Sequence, residues 1–165
     1  MPSGGRLSSQ VLSGQVTAHP TLGPWTRFLR AHAALTRQLS ARLEAQHGLT
    51  LSDFDVLAQL HFAPDRALRR IDLARQVLLT ASGITRLLAG LERAGWVEKG
   101  TCESDARVTY AVLTEAGARK FEEAYRSHVA DIEELFASRL SDNERRQLGD
   151  LLAKLPLAET ACVDD

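Results

Sequence analysis

The chain has 165 residues, of which 44% are hydrophobic and 25% charged, with a net charge of −1. That is enough for one domain with a real core, or one plus a helical annex, of ordinary soluble composition, and it excludes a generally basic nucleic-acid binder. No apolar run approaches the roughly 20 residues that a membrane-spanning helix needs, and MPSGGRLSSQVLSGQVTAHP lacks the pattern of a secretory signal.

Gly, Ser and Pro in residues 1–23 predict a flexible tail. A first helix is predicted from Trp25, after Pro24, to about Gln46. Trp25, Phe28, Leu29, His32, Leu35, Thr36, Leu39 and Leu43 share one face at the 3.6-residue period, and Gly48 ends it. Ser52, with Asp55 three residues on, predicts a capped second helix through Phe54, Val56, Leu57 and Leu60. Pro64 stops that helix, and APDRALRR reads as a polar turn. IDLARQVL reads as a short helix burying Ile71, Ala74 and Val77. A tight turn at Leu79 and Thr80 leads into SGITRLLAGLERAG, where Ile84, Leu87, Leu88 and Leu91 form an i, i+3, i+4, i+7 stripe. Gly95 offers a C-cap.

The period then changes. Val108, Tyr110 and Val112 alternate with Arg107, Thr109 and Ala111, which is a strand pattern, and a matching short strand covers Trp96 to Lys99. GTCESDA lies between them. A long helix starts at Thr114 with Phe121, Ala124, Tyr125, His128, Ile132, Leu135 and Phe136 inward. A capping box, Ser141 with Glu144, opens a last helix that aligns Leu148, Leu151, Leu152 and Leu155 before Pro156.

The predicted fold class is mainly α with a small β-hairpin. An isolated two-stranded hairpin is marginal in water, so this one needs a helical core beneath its base. Two short helices joined by a small turn, followed by such a ribbon, make a winged helix-turn-helix, with the hairpin as its wing.

Charge distribution agrees with a partner at this segment. The balance is +1 over residues 1–65, +3 over 66–107 and −5 over 108–165. The outward face of the fourth helix carries Ser82, Gly83, Thr85 and Arg86, with Thr80 in the turn before it. Small residues let a helix settle into a major groove, and an arginine can fork onto guanine O6 and N7. The helix N-terminus suits a phosphate. The same face also reads as that of an ordinary surface helix; the wing favours DNA. Arg107 lies near the wing tip, within reach of a minor groove, whose negative potential attracts arginine. Asp105 is placed to orient it. Lys99, Arg69 and Arg70 are candidate phosphate contacts, each of which also reads as a plain surface charge.

These residues resemble a known family. DLARQVLLTASGITRLLAGLERAGWVEKGTCESDARVTYAVLTEAG is similar to the core of the MarR-type transcriptional regulators. The likeness rests on LA of the first short helix, Ser-x-x-Thr-Arg opening the recognition helix and LE..G.VE leading into the wing. Asp-x-Arg at the wing tip (Asp105, Arg107) and LTEAG complete it, and it spans roughly Trp25 to Pro156. It implies an obligate homodimer, with N- and C-terminal dimerisation helices at 24–50 and 114–156 flanking a winged lobe at 51–113, and tails at 1–23 and 157–165. The implied partner is double-stranded DNA with a pseudo-palindromic operator, and repression is the family's usual mode. Leu78, where the family often has glycine, Ala106 between the wing Asp and Arg, and Cys102 on the wing depart from the pattern.

The resemblance further implies release by a small anionic or aromatic effector held between the dimerisation helices and the winged lobe. Trp25, Phe28, Arg30, His32, Phe54, Asp55 and Phe62 are the candidates here. The alternative is that Trp25, Phe28 and Phe54 are core packing and His32 an interface histidine. Redox control through Cys102 is disfavoured by Glu103 and Asp105, which oppose thiolate formation. The scattered histidines give no metal spacing, no cofactor is implied, and two distant cysteines suit the reducing cytoplasm. No G-x-S-x-G, H-E-x-x-H or phosphate-loop motif suggests an enzyme. A winged helix that binds protein rather than DNA is the competing reading.

Overall fold

A computed structural model describes residues 18–77, 81–101 and 109–155. In chain order these form α1 (Leu22–His47), α2 (Leu51–Phe62), a 3-10 turn (Pro64–Arg66), β1 (Ala67–Arg69), α3 (Arg70–Gln76) and α4 (Ala81–Arg93). β2 (Val97–Thr101), β3 (Thr109–Leu113), α5 (Glu115–Leu135), a second 3-10 turn (Ala137–Arg139) and α6 (Asp142–Leu152) follow. The chain divides into two compact units, one up to Gln38 and one from Leu39 onward. Among the described residues no helix is long and apolar enough to cross a membrane.

In the first unit, α1 begins at Leu22, three residues before the expected Trp25. The backbone N–H groups of Thr21 and Leu22 both donate to His19 Nδ1 at 3.2 Å. Pro24 thus falls inside the first turn, where its missing N–H costs nothing because that donor has no partner within the helix.

The second unit holds the hydrophobic core. Leu43, Leu49, Val56, Leu57, Leu60, Leu73, Leu88 and Phe121 are all at most 2% exposed. Gly48, at φ 65°, ends α1 in the left-handed conformation that glycine adopts without strain. The cap of α2 is Thr50, not the expected Ser52. Thr50 Oγ1 accepts from the Asp53 N–H at 3.1 Å, and Asp53 Oδ2 accepts from the Thr50 N–H at 3.0 Å. Both Thr50-x-x-Asp53 and Ser52-x-x-Asp55 satisfy the motif locally. The Thr50 frame wins because it places Leu49 just before the cap and Phe54 at the fourth helical position, both in the core, the pattern of a hydrophobic staple. Thr50→Ala is therefore expected to lower unfolding stability by about 1 kcal/mol, and Ser52→Ala by less than about 0.5, as read from urea midpoints.

Further expectations change. The segment APDRALRR is not simply a polar turn: Asp65 and Arg66 take positive φ (51° and 53°) and swing the chain into β1. The sheet consequently has three antiparallel strands in the order β1-β3-β2, with Ala67 opposite Val112 and Val97 opposite Leu113. The wing's base is anchored through this extra strand. In β3 burial follows Ala111 and Leu113, while Tyr110 and Val112 are half-buried on the other face. Ile71, expected inward, is 61% exposed. The short α3 buries Leu73 and Ala74 instead, and Ile71 lies about 200° around the helix from Leu73. Tyr125, also expected inward, is 46% exposed at the edge of the α5 stripe.

Candidate nucleic-acid interface

The fourth helix is set by its stripe. Ile84, Leu88 and Leu91 are 3%, 0% and 2% exposed, so α4 has one rotational setting on the core. Ser82, Thr85, Arg86 and Ala89 are consequently exposed, with Gly83 and Gly90 half-buried. A side chain at Gly90 would meet nothing within 4 Å, so this face is free of intramolecular cover there. At its far end the Trp96 N–H donates to Leu91 O and the Gly95 N–H to Glu92 O, both at 3.0 Å. With Gly95 at φ 74°, this is a Schellman stop.

Around this face the basic side chains behave differently from one another. Lys99 is exposed on β2, opposite Ala111. Arg70 instead donates to Glu92 at 3.2 Å, tying the start of α3 to the last turn of α4, and Arg69 pairs with Asp72. Both arginines thus have roles within the fold that composition alone did not suggest, although Arg69 and Asp72 sit at a readable i, i+3 spacing. Thr80, Asp105 and Arg107, named above as DNA contacts, and Cys102 lie outside the described residues.

The effector candidates separate by unit. In the first, Trp25 and Phe28 are exposed (55% and 42%), and their ring centroids lie 6.2 Å apart. The Phe28 and His32 rings follow at 6.4 Å along the same face. Arg30 and His32 are exposed. In the second, Phe54 is a core residue, 7% exposed and packed on the rings of Phe121 and His128. Phe62 is 71% exposed, with its ring edge-on to Phe121.

Sequence reasoning missed the charged cluster at the α1–α5 contact. Arg42 donates to Asp131 at 2.6 Å and to both oxygens of Glu134 at 2.8 Å. Asp131 and its neighbour His128 are buried. Burial pushes the His128 imidazole below its ordinary 6.5 against the pull of Asp131 and Asp55, and partial desolvation raises the Asp55 carboxyl. Between the depressed His128 value and 6.5 the unfolded chain binds more protons than the folded one, so stability rises with pH across that window. Asp55 acts in the opposite sense. Its contribution is complete below 3.8 and is lost as pH rises through its folded value. The urea midpoint is therefore expected to fall between about pH 7 and pH 5, and His128→Leu should flatten that slope.

A buried three-helix platform, an outward small-residue face on its last helix, and a ribbon anchored beside it define a winged helix-turn-helix protein. The MarR family model matches residues 47–108. An uncharacterised HTH-type transcriptional regulator of Bacillus cereus is 30% identical over 132 residues, covering 79% of this chain and 85% of its own. The HTH-type transcriptional regulator MhqR of Bacillus subtilis is 28% identical over 128 residues, covering 78% and 86%. Among solved structures, AbsC, a MarR family transcriptional regulator from Streptomyces coelicolor, aligns with a TM-score of 0.73 at 27% identity over 90% of this chain and 93% of that one. A mutant MarR from E. coli complexed with operator DNA aligns with a TM-score of 0.71 at 26% identity, over 81% and 94%. The chain belongs to the MarR family of transcriptional regulators.

Proposed function

We propose that this protein is a homodimeric, sequence-specific DNA-binding repressor released by a small anionic or aromatic ligand. The observation that carries DNA reading is the exposed face of α4, where Ser82, Thr85 and Arg86 lie opposite Ile84, Leu88 and Leu91, each 3% exposed or less. Support comes from the similar E. coli MarR, crystallised with operator DNA. In this reading Arg86 contacts a base edge, Thr80, Ser82, Gly83 and Thr85 meet phosphate or base, and Lys99 meets phosphate. Arg107, oriented by Asp105, enters the minor groove. Residues 24–50 and 114–156 form the dimerisation helices around a DNA-binding lobe at 51–113.

Selection of bound duplexes from a random pool identifies the operator. On that duplex Arg86→Ala is expected to cost roughly 1–3 kcal/mol and to relax preference at one base pair, whereas Lys99→Ala weakens all sequences alike and lowers the salt slope by about 1. An unchanged footprint in Arg86→Ala and Arg107→Ala transfers the protein to the protein-binding class.

Ligand release is supported by the exposed ring series Trp25, Phe28 and His32 of the first unit, where Arg30 is also exposed; Phe62 and Asp55, both exposed in the second unit, stay candidates on the resemblance alone. An aromatic carboxylate bound there should quench Trp25 fluorescence and lower operator affinity together.

A further inference from the structure

The exit of the recognition helix and the entry of α5 share their hydrogen bonds. The two carbonyls that follow the Schellman stop of α4 are those of Gly95 and Trp96, and both accept from one residue. Thr114 Oγ1 donates to Gly95 O at 2.7 Å and Thr114 N–H donates to Trp96 O at 3.1 Å. The same Thr114 hydroxyl oxygen caps α5, accepting from the Gly117 N–H at 3.0 Å. Gly117 is buried, and a Cβ built there would stand 2.0 Å from Trp96 O and 2.8 Å from Leu113 Cδ1. Only a residue without a side chain lets the first turn of α5 approach this loop so closely. The ammonium of Lys120, one turn further along, sits over the Trp96 ring at 5.4 Å.

The buried stripe sets the rotation of α4 on the core, and the directional bonds of Thr114 to two carbonyls, closed against Gly117, set how its exit loop meets α5. We infer that the Thr114–Gly117 turn is the joint that fixes the recognition helix to α5, and that Thr114 and Gly117 are positioning residues for DNA reading. A displacement of α5 at a dimer interface or a ligand site then reaches α4 through this turn. The inference rests on the reading of α4 as the DNA-contacting helix for its functional consequence, but its geometry can be judged without DNA.

The test is a distance measured within one chain of the full-length protein. Spin labels at Arg93→Cys on α4 and Glu133→Cys on α5, in a Cys102→Ser, Cys162→Ser background diluted with unlabelled protein, report the α4–α5 separation by double electron–electron resonance. Thr114→Val, which removes the hydroxyl, and Gly117→Ala are both expected to shift and broaden that distribution and to weaken operator binding about tenfold, by analogy with the loss of a helix cap. Thr114→Ser, which restores both side-chain bonds, should return the parental values. Simple destabilisation lowers the folded fraction but does not alter distances within folded molecules. An unchanged distribution in both Thr114→Val and Gly117→Ala overturns the inference; should Gly117→Ala fail to fold, the Thr114→Val and Thr114→Ser pair decides it. Failure of the parental protein to bind any duplex instead overturns the DNA reading and leaves the distance result standing.

Discussion

In the homodimer proposed above, Leu151→Glu should convert a species of twice the 18.1 kDa chain mass to a monomer, and should abolish tight operator binding. The reason lies in α6. Its N-terminus is well specified: Ser141 accepts from Glu144 N–H, Glu144 accepts from Ser141 N–H at 2.8 Å, and Arg145 donates to the carbonyls of Ala137 and Leu140. Yet none of its residues is buried, and Leu151 is 59% exposed. A helix of 11 residues falls below the roughly 12–15 that stand alone in water even with good propensity. Leu148, Leu151, Leu152 and Leu155 recur at i, i+3, i+4 and i+7, so the stripe was built to be covered. In the first unit, Leu22, Trp25, Phe28 and Leu29 are likewise 42% exposed or more. In the proposed twofold DNA reader a second copy of the chain would supply the cover. A carboxylate at Leu151, 59% exposed in the single chain, would enter that proposed interface unpaired. Losing the second reading head removes the gain from bivalency, on the order of 10²–10⁴ in affinity. Asp150→Ala, at an exposed polar site on the same helix, should leave both mass and affinity unchanged. Light scattering that returns the parental mass for Leu151→Glu would refute the interface.

Long periodic segments were legible because their signal repeats. The stripe of α4 gave its buried side directly, and the Ser141–Glu144 box fixed the start of α6. What escaped was decided by neighbours rather than by local pattern. β1 has three residues, too few to show a period, and exists because β3 offers it an edge and because Asp65 and Arg66 turn left-handed before it. The sequence predicts the cap of α2 at Ser52; the core selects the Thr50 frame instead, which buries both Leu49 and Phe54. The exposed face of α4 was legible as exposed for the same reason its core was: Ser82, Thr85, Arg86 and Ala89 are left over once the stripe is assigned. Arg69 and Arg70 looked equally available, but partners on α3 and α4 engage both. The clasp between Thr114 and the Gly95–Trp96 carbonyls joins residues 18 or 19 apart. No window of sequence shows it, although the glycine it requires was in view.

Phe121→Ala should be among the most damaging single truncations in the second unit, lowering unfolding stability by about 3–5 kcal/mol. Phe121 is 2% exposed and its ring meets four others, with centroids 5.4 Å from Phe54, 4.7 Å from His61, 5.8 Å from Phe62 and 5.5 Å from Tyr125, while His128 joins the set through Phe54. Truncation therefore removes a full aromatic burial and several ring contacts, each worth about 0.5–1.5 kcal/mol beyond the area they cover. Little can collapse into the space, because α2 and α5 are both pinned nearby, α2 by its Thr50 box and α5 by its Thr114 cap and by the Arg42 ion pairs. Phe121→Leu keeps most of the volume and should cost less than about half as much. Tyr125→Ala is a control of similar chemistry at an exposed site; its ring rests on Phe121 from the solvent side, and its loss should shift the midpoint only slightly. Urea midpoints at one fixed protein concentration make the comparison, since the stability of the proposed dimer would depend on concentration. If Phe121→Ala and Tyr125→Ala shift alike, α5 is held by something other than this aromatic cluster.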